Sequence, residues 1–218
     1  MQMKRAFAVF VFIGFFFTSF TFAQTDVAAS VYGAFNGATS ANGVKQSPSN
    51  SAGVLFEVRH ISNPLVGYEV TYAYNGANQV YTPTVQPASS SACPSPGCSY
   101  IAAAVPAHAH EITGDWVVSV KAANLRPFAL AGGGFLLNVP TANSVQIATN
   151  GLMTGTKNST QAVFVYGAGL DWTVLPHLGL RFQYRGNLYK AADLTNAFSS
   201  TNAFTHTSEP MVGAFLRF

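Results

Sequence analysis

Charged and nucleophilic side chains recur two residues apart along this 218-residue sequence. Glu57 precedes Arg59, Glu111 precedes Asp115 through Thr113, and Arg181 precedes Arg185 through Gln183. On a strand that spacing sets side chains on one face. Opposite charges so placed can pair across neighbouring strands. His206, Ser208 and Glu209 offer a base, a nucleophile and an orienter in type. On a strand, His206 and Ser208 share a face and Glu209 takes the other, so the geometry of a triad is not met. A polar loop-to-strand junction is expected there, and no catalytic residue is assigned. His108 and His110 also share a face, but two imidazoles leave a metal shell incomplete. The sequence shows no third ligand, so no metal and no cofactor is expected. His60 and His177 fall at short turns and read as solvated.

Cys93 and Cys98 flank Pro94-Ser95-Pro96-Gly97. This spacing is not that of a CxxC redox pair, and two thiolates alone do not complete a zinc shell. A disulfide between them is expected in an oxidising compartment. Gly132-Gly133-Gly134 is not followed by Lys-Ser/Thr, so it is no phosphate cradle. It reads as a bend or a place of close packing.

The elements that must position these groups are strands. Period-2 alternation predicts them over 26–36, 52–61, 65–75, 108–121, 126–138, 160–174, 177–190 and 206–218. Long loops are expected over 37–51, 76–107, 139–159 and 191–205. Short turns fall at Ser62-Asn63-Pro64, from Ala122 to Leu125, and at Leu175-Pro176. Val54, Phe56 and Val58 share one face against Glu57 and Arg59. Leu178, Leu180, Phe182 and Tyr184 alternate with Arg181, Gln183 and Arg185. One set of faces is apolar and aromatic. The other collects Glu57, Glu69, Glu111, Asp115 and Asp171 with Arg59, Lys121, Arg181, Arg185 and Arg217. A soluble sandwich would put its charges in water and its apolar face inside.

Three features select the inverse arrangement, with charges inside and apolar faces toward lipid. The first is export. Lys4 and Arg5 precede an apolar run from Ala6 to Phe17, and small residues lead to Ala23, as in a signal peptide cut after Ala23. The apolar run falls short of the ~20 residues of a helical span. The expected division is 1–23 signal peptide and 24–218 barrel. The second is that the charged face is balanced, five acids against five bases. The third is the aromatic content of the opposite face, with Tyr72, Tyr74, Tyr184 and Tyr189 toward the long loops and Trp172 and Phe218 toward the short turns. Two girdles at the membrane interfaces have this placement. Only 9% of residues are charged and mean hydropathy is +0.23. A net charge of +3, about +1 without Lys4 and Arg5, is no nucleic-acid footprint.

The segment running from Tyr166-Gly167-Ala168-Gly169-Leu170-Asp171-Trp172 to Leu180-Arg181-Phe182-Gln183-Tyr184-Arg185 resembles the penultimate hairpin of small OmpA-like outer-membrane barrels. Met211-Val212-Gly213-Ala214-Phe215-Leu216-Arg217-Phe218 resembles their C-terminal strand. The resemblance implies an all-β fold, an eight-stranded antiparallel up-and-down transmembrane β-barrel. It also implies that Phe218 serves as the assembly signal read by the barrel-assembly machinery. The family's peptidoglycan-binding domain has no counterpart here.

The expected function is a structural outer-membrane barrel, a monomer in lipid and lipopolysaccharide, with a charged, plugged lumen and surface loops open to an unidentified ligand. The alternatives are a narrow channel and a lipid A-modifying enzyme. Lipid A deacylases carry a His-x-Ser arrangement that His206-Thr207-Ser208 resembles, though their Gly/Asn-rich segment after the serine is missing. Within the lumen, a turn centred on Asn63 predicts Glu57 opposite Glu69. A turn centred on Pro176 predicts Asp171 opposite Arg181. The expected network is Glu57, Arg59, Glu69, Asp171, Arg181 and Arg185, with Arg185 bridging the two glutamates.

Overall fold

A strand that is apolar on one face and charged on the other must hide its backbone groups and one of its faces. Closing the sheet on itself does both, since no edge remains and one face becomes an interior. A computed structural model of the chain describes residues 24–63, 65–84, 103–147, 151–198 and 200–218. The expected signal peptide, Pro64 and both cysteines, Cys93 and Cys98, lie outside the described residues.

In chain order the strands are β1 (Gln24–Asn36), β2 (Thr39–Ala41), β3 (Val44–Pro48), β4 (Ser51–Ile61), β5 (Val66–Gly76), β6 (Gln79–Pro83), β7 (Ala103–Val105), β8 (Ala107–Ser119), β9 (Leu125–Pro140), β10 (Ser144–Gln146), β11 (Met153–Gly155), β12 (Ser159–Leu175), β13 (Leu178–Lys190) and β14 (Phe204–Arg217). Among the described residues, β1, β4, β5, β8, β9, β12, β13 and β14 form a closed barrel. Each pairs antiparallel with the next, and β14 closes on β1. The fold is therefore the expected eight-stranded up-and-down barrel. Its outward face carries the large apolar side chains, among them Trp116 at 60% exposure and Phe135 at 67%.

The strands are strongly staggered. The row of partners that starts at Asp26 passes through Arg59, Glu69, Asp115, Gly132, Val165, Asn187 and Thr207. It returns to β1 at Asn36, ten residues along. This offset tilts every strand. Residues paired in one row therefore climb the barrel, and side chains that meet across the lumen come from different rows.

The long connections are not structureless, which corrects the expectation of plain loops over 37–51, 76–107 and 139–159. β2, β3, β6 and β7 form a second sheet, and β10 pairs with β11. The β2–β3 hairpin turns on Asn42 and Gly43, at φ 53° and 77°. Both residues are left-handed, as a two-residue hairpin of this twist requires. The two small sheets share an apolar cluster of Val44, Tyr81, Ala103, Val105, Ala107, Val145, Ala192 and Leu194. Tyr81 stacks on Phe198 at 5.2 Å, and its hydroxyl accepts from the Leu194 N–H at 3.1 Å. Burial raises the Tyr81 hydroxyl above its ordinary pKa. Gln46 ties this cap to the segment after β13 by donating to the Ala192 carbonyl at 3.1 Å.

The short turns set the register of the barrel. Asn63 Oδ1 accepts from the N–H groups of Leu65 and Val66 at 2.9 and 2.8 Å, an Asx turn. Between β8 and β9, Ala122 and Leu125 exchange two backbone hydrogen bonds of 2.8 and 2.9 Å. Ala123 then stands at φ 54°. A Cβ in that left-handed region costs roughly 1–2 kcal/mol. Ala123→Gly is therefore expected to stabilise the barrel, by up to about 1 kcal/mol after the entropy of glycine in the unfolded chain is counted. Urea unfolding in lipid vesicles measures this, and a variant less stable than the parent would contradict it.

Candidate functional site

Twelve of the seventeen charged side chains of the described residues lie in the barrel interior or at its short-turn rim. Asp26, Glu57, Glu69, Glu111, Asp115, Asp171 and Glu209 are buried. Among the described residues every arginine (Arg59, Arg126, Arg181, Arg185 and Arg217) makes its polar contacts with lumen side chains. Every lysine lies outside the lumen and exposed: Lys45, Lys121, Lys157 and Lys190. The segregation follows from side-chain chemistry. A guanidinium offers five donors in a rigid fork and suits buried carboxylates, whereas an ammonium is a strongly hydrated point charge.

Near the short turns the charges form one network. Arg59 Nε donates to Glu69 Oε2 at 2.8 Å, and its Nη2 reaches Glu57 Oε1 at 3.2 Å. Its Nη1 donates to Asp171 Oδ2 at 3.3 Å. Arg181 grips Asp171 with two parallel bonds of 2.6 and 2.8 Å and pairs with Glu57 through Nη1. Arg217 donates to Asp26 Oδ1 at 3.3 Å. The guanidinium of Arg59 lies 4.0 Å from the centre of the Phe128 ring, and those of Arg181 and Arg217 lie 5.3 and 5.2 Å from Phe215. Aromatic faces thus cover the cationic planes where no carboxylate reaches.

A second group sits toward the long connections. Arg185 Nη2 donates to Glu111 Oε1 at 3.0 Å and to Thr113 Oγ1 at 3.2 Å. Asp115 lies 4.0 Å from the same nitrogen. Asn187 Nδ2 donates to Glu111 Oε2 at 2.8 Å and to Glu209 Oε1 at 3.1 Å. Glycines on β9 make room for this packing. A Cβ on Gly132 would stand 2.2 Å from Asp115 Oδ1, and one on Gly134 would stand 1.9 Å from the Ile112 carbonyl oxygen.

The structure brings Glu57, Arg59, Glu69, Asp171 and Arg181 together and places Asp171 opposite Arg181. It does not place Glu57 opposite Glu69. Glu57 pairs with Thr71, and Glu69 pairs with Arg59. The four-residue Asx turn ends at Val66, which shifts the pairing by two residues from a turn centred on Asn63. Arg185 does not bridge the two glutamates either. Two inward positions further along β13, it pairs with Glu111, and Arg59 takes the bridging role, holding both Glu57 and Glu69. Lys121 leaves the expected inward set because β8 ends at Ser119.

Asp26, Arg126 and Glu209 belong to the interior and were missing from the expected set. Residue parity was the available signal, since Asp26 is in step with Ser30 and Tyr32, and Glu209 is in step with Met211. Glu209 points into the lumen, while Ser208 accepts from the Tyr184 hydroxyl at 3.0 Å and His206 meets the Tyr166 hydroxyl at 2.9 Å on the outward face. His110 meets the Tyr72 hydroxyl at 2.9 Å, and His108 packs on Tyr74 at 5.3 Å. Phe218 is 75% exposed, and its N–H donates to the Thr25 carbonyl at 2.9 Å.

No family model and no curated protein matches the sequence. Solved structures do. Ail, the attachment invasion locus protein of Yersinia pestis, solved in complex with the heparin analogue sucrose octasulfate, is 13% identical with a TM-score of 0.52. The match covers 91% of this chain and all of that one. Neisserial surface protein A is 13% identical at a TM-score of 0.51, again over 91% of this chain and all of the other. The outer membrane protein OprG from Pseudomonas aeruginosa is 9% identical at 0.50, over 90% and 96%. At such identities the likeness is one of fold, and the fold is that of small OmpA-like outer-membrane barrels.

Removing a guanidinium from the inner network leaves carboxylates buried without a partner, a loss of ~3–5 kcal/mol. Arg181→Ala is expected to destabilise by that amount. Lys190→Ala, at the exposed end of β13, is expected to change stability by no more than ~0.5 kcal/mol. Paired urea titrations measure the difference, and equal losses would contradict the assignment of the interior.

Proposed function

We propose, on the fold of a small outer-membrane barrel, that the chain is a structural protein of that membrane whose lumen is closed by its own side chains. The observation that carries this reading is the inversion of the two faces. Large apolar residues such as Ile112, Trp116 and Phe135 point outward, and seven acids with five arginines point inward or line the short-turn rim. Eight strands enclose an interior that side chains can fill, and the arginine–carboxylate pairs fill it. On this reading residues 1–23 direct export and are removed, and Phe218 guides insertion. Cys93 and Cys98 pair in a surface loop, and the cap built on β2, β3, β6 and β7 faces the exterior.

The cap is the part available to a surface partner. Its chemistry does not favour a sulfated sugar of the kind bound to Ail. Among the described residues the cap end carries Lys45, Lys157 and Lys190, and Lys157 is paired with Asp193 at 2.8 Å. A Ser/Thr/Asn-rich surface with so few charges fits a protein or glycan partner recognised by hydrogen bonds.

Three measurements test the reading together. Membrane fractionation of expressing cells is expected to place a heat-modifiable form in the outer membrane. Planar bilayers are expected to show no large, steady conductance. A stable open pore would overturn the closed lumen. A change in the acyl chains of lipid A that Ser208→Ala abolishes would replace the structural role with an enzymatic one.

A further inference from the structure

Above the balanced network, the interior is short of positive charge. Glu111, Asp115 and Glu209 are all buried there, and Arg185 reaches Glu111 at 3.0 Å and Asp115 at 4.0 Å. Asn187 donates its amide to both Glu111 and Glu209, which holds the two carboxylates toward each other. Beside them lies a cavity with a free volume of about 20 Å³ for the centre of a water-sized guest. That is room for one such guest. Glu111, Glu209, Asn187, Asn138 and Gln79 line it.

Four polar atoms of these lining residues have no hydrogen-bond partner: Glu209 Oε2, Asn187 Oδ1, Gln79 Oε1 and Asn138 Nδ2. Their side chains belong to residues between 1% and 4% exposed. Buried polar groups are ordinarily satisfied, so four orphans on one cavity call for an occupant. Three of the four are oxygens, one of them on the Glu209 carboxylate, and the Glu111 carboxylate lines the same cavity. The amide of Asn138 becomes a further oxygen donor on a flip of its terminal group.

We infer that this chamber, formed by Glu111, Glu209, Asn187, Asn138 and Gln79, is a binding site for a single Ca²⁺ ion. With the Asn138 amide flipped, the donor set is all oxygen and lacks imidazole and thiolate, which suits a hard cation. Three carboxylates against one guanidinium leave a deficit of two charges, which a divalent ion makes good. The space admits one guest without a retained water shell. Mg²⁺ dehydrates reluctantly and keeps several waters, whereas Ca²⁺ accepts six to eight oxygens in flexible geometry. Entry is from the long-connection side, where Asn36, Pro48 and Asn75 are half-buried.

The test uses full-length chain refolded from urea into detergent free of lipopolysaccharide, stripped with chelator. Tb³⁺ is titrated as the probe, with emission excited through tyrosine, of which Tyr189 lines the cavity. Saturation at one ion per chain is expected, with displacement by Ca²⁺ at concentrations at least tenfold below those needed with Mg²⁺. Glu209→Gln is expected to weaken binding at least tenfold, and Asp193→Asn, half-buried at the cap and paired with Lys157, to leave it unchanged. Gln79→Ala gives a second reading of the same loss should Glu209→Gln fail to fold, as judged by heat modifiability. Absence of a saturable site, or equal affinity in the parent and in both chamber variants, would overturn the inference and assign the charge deficit to bound protons.

Discussion

Charge inside an eight-stranded barrel has nowhere to go but onto other charge. The interior is too narrow to hydrate a guanidinium or a carboxylate fully, and a single unpaired ion there is costly. Arg59 and Arg181 resolve this by sharing Glu57 and Asp171 between them, with Glu69 on Arg59. The rest of the architecture follows from accommodating that cluster. Glycines thin the wall where side chains crowd. Phe128 and Phe215 lie against the open faces of the guanidinium planes. The apolar side chains are left for the outside, where closure of the sheet has already satisfied the backbone.

Much of this was legible in the sequence because a strand has only two faces. Parity alone assigned Glu57, Arg59, Glu69, Asp171, Arg181 and Arg185 to one side, and the structure puts all six in the interior. Asp171 opposite Arg181 followed from a local hairpin of known centre. What parity does not give is height. The offset of ten residues around the barrel decides which rows meet across the lumen, and it is a property of all eight pairings at once. Parity alone therefore hands Arg185 the two glutamates that Arg59 holds. The register of β4 on β5 was misjudged by two residues for a local reason, since the Asx turn at Asn63 spans more chain than a turn centred on that residue.

The cap was illegible for a different reason. Its strands are three to five residues long, too short for alternation to stand out from chance. One signal was present: Asn42-Gly43 is the dipeptide that the two-residue hairpin favours. The apolar cluster that unites the cap draws on Val44, Tyr81, Val105, Val145 and Leu194. These are isolated residues in four separate connections, and only their meeting in space makes a core of them. Between this cap and the balanced network lies the acidic chamber. The interior is thus layered, from a charge-balanced network at the short turns, through the acidic chamber, to an apolar lid.

The central claim is that the faces are inverted, and the two tryptophans of the chain report on it directly, since Trp116 and Trp172 both point outward, at 60% and 46% exposure. In vesicles of brominated lipid their fluorescence is expected to be blue-shifted and strongly quenched, with little further quenching by aqueous acrylamide. Red-shifted emission that acrylamide quenches and brominated lipid leaves untouched would place these residues in water and contradict the account.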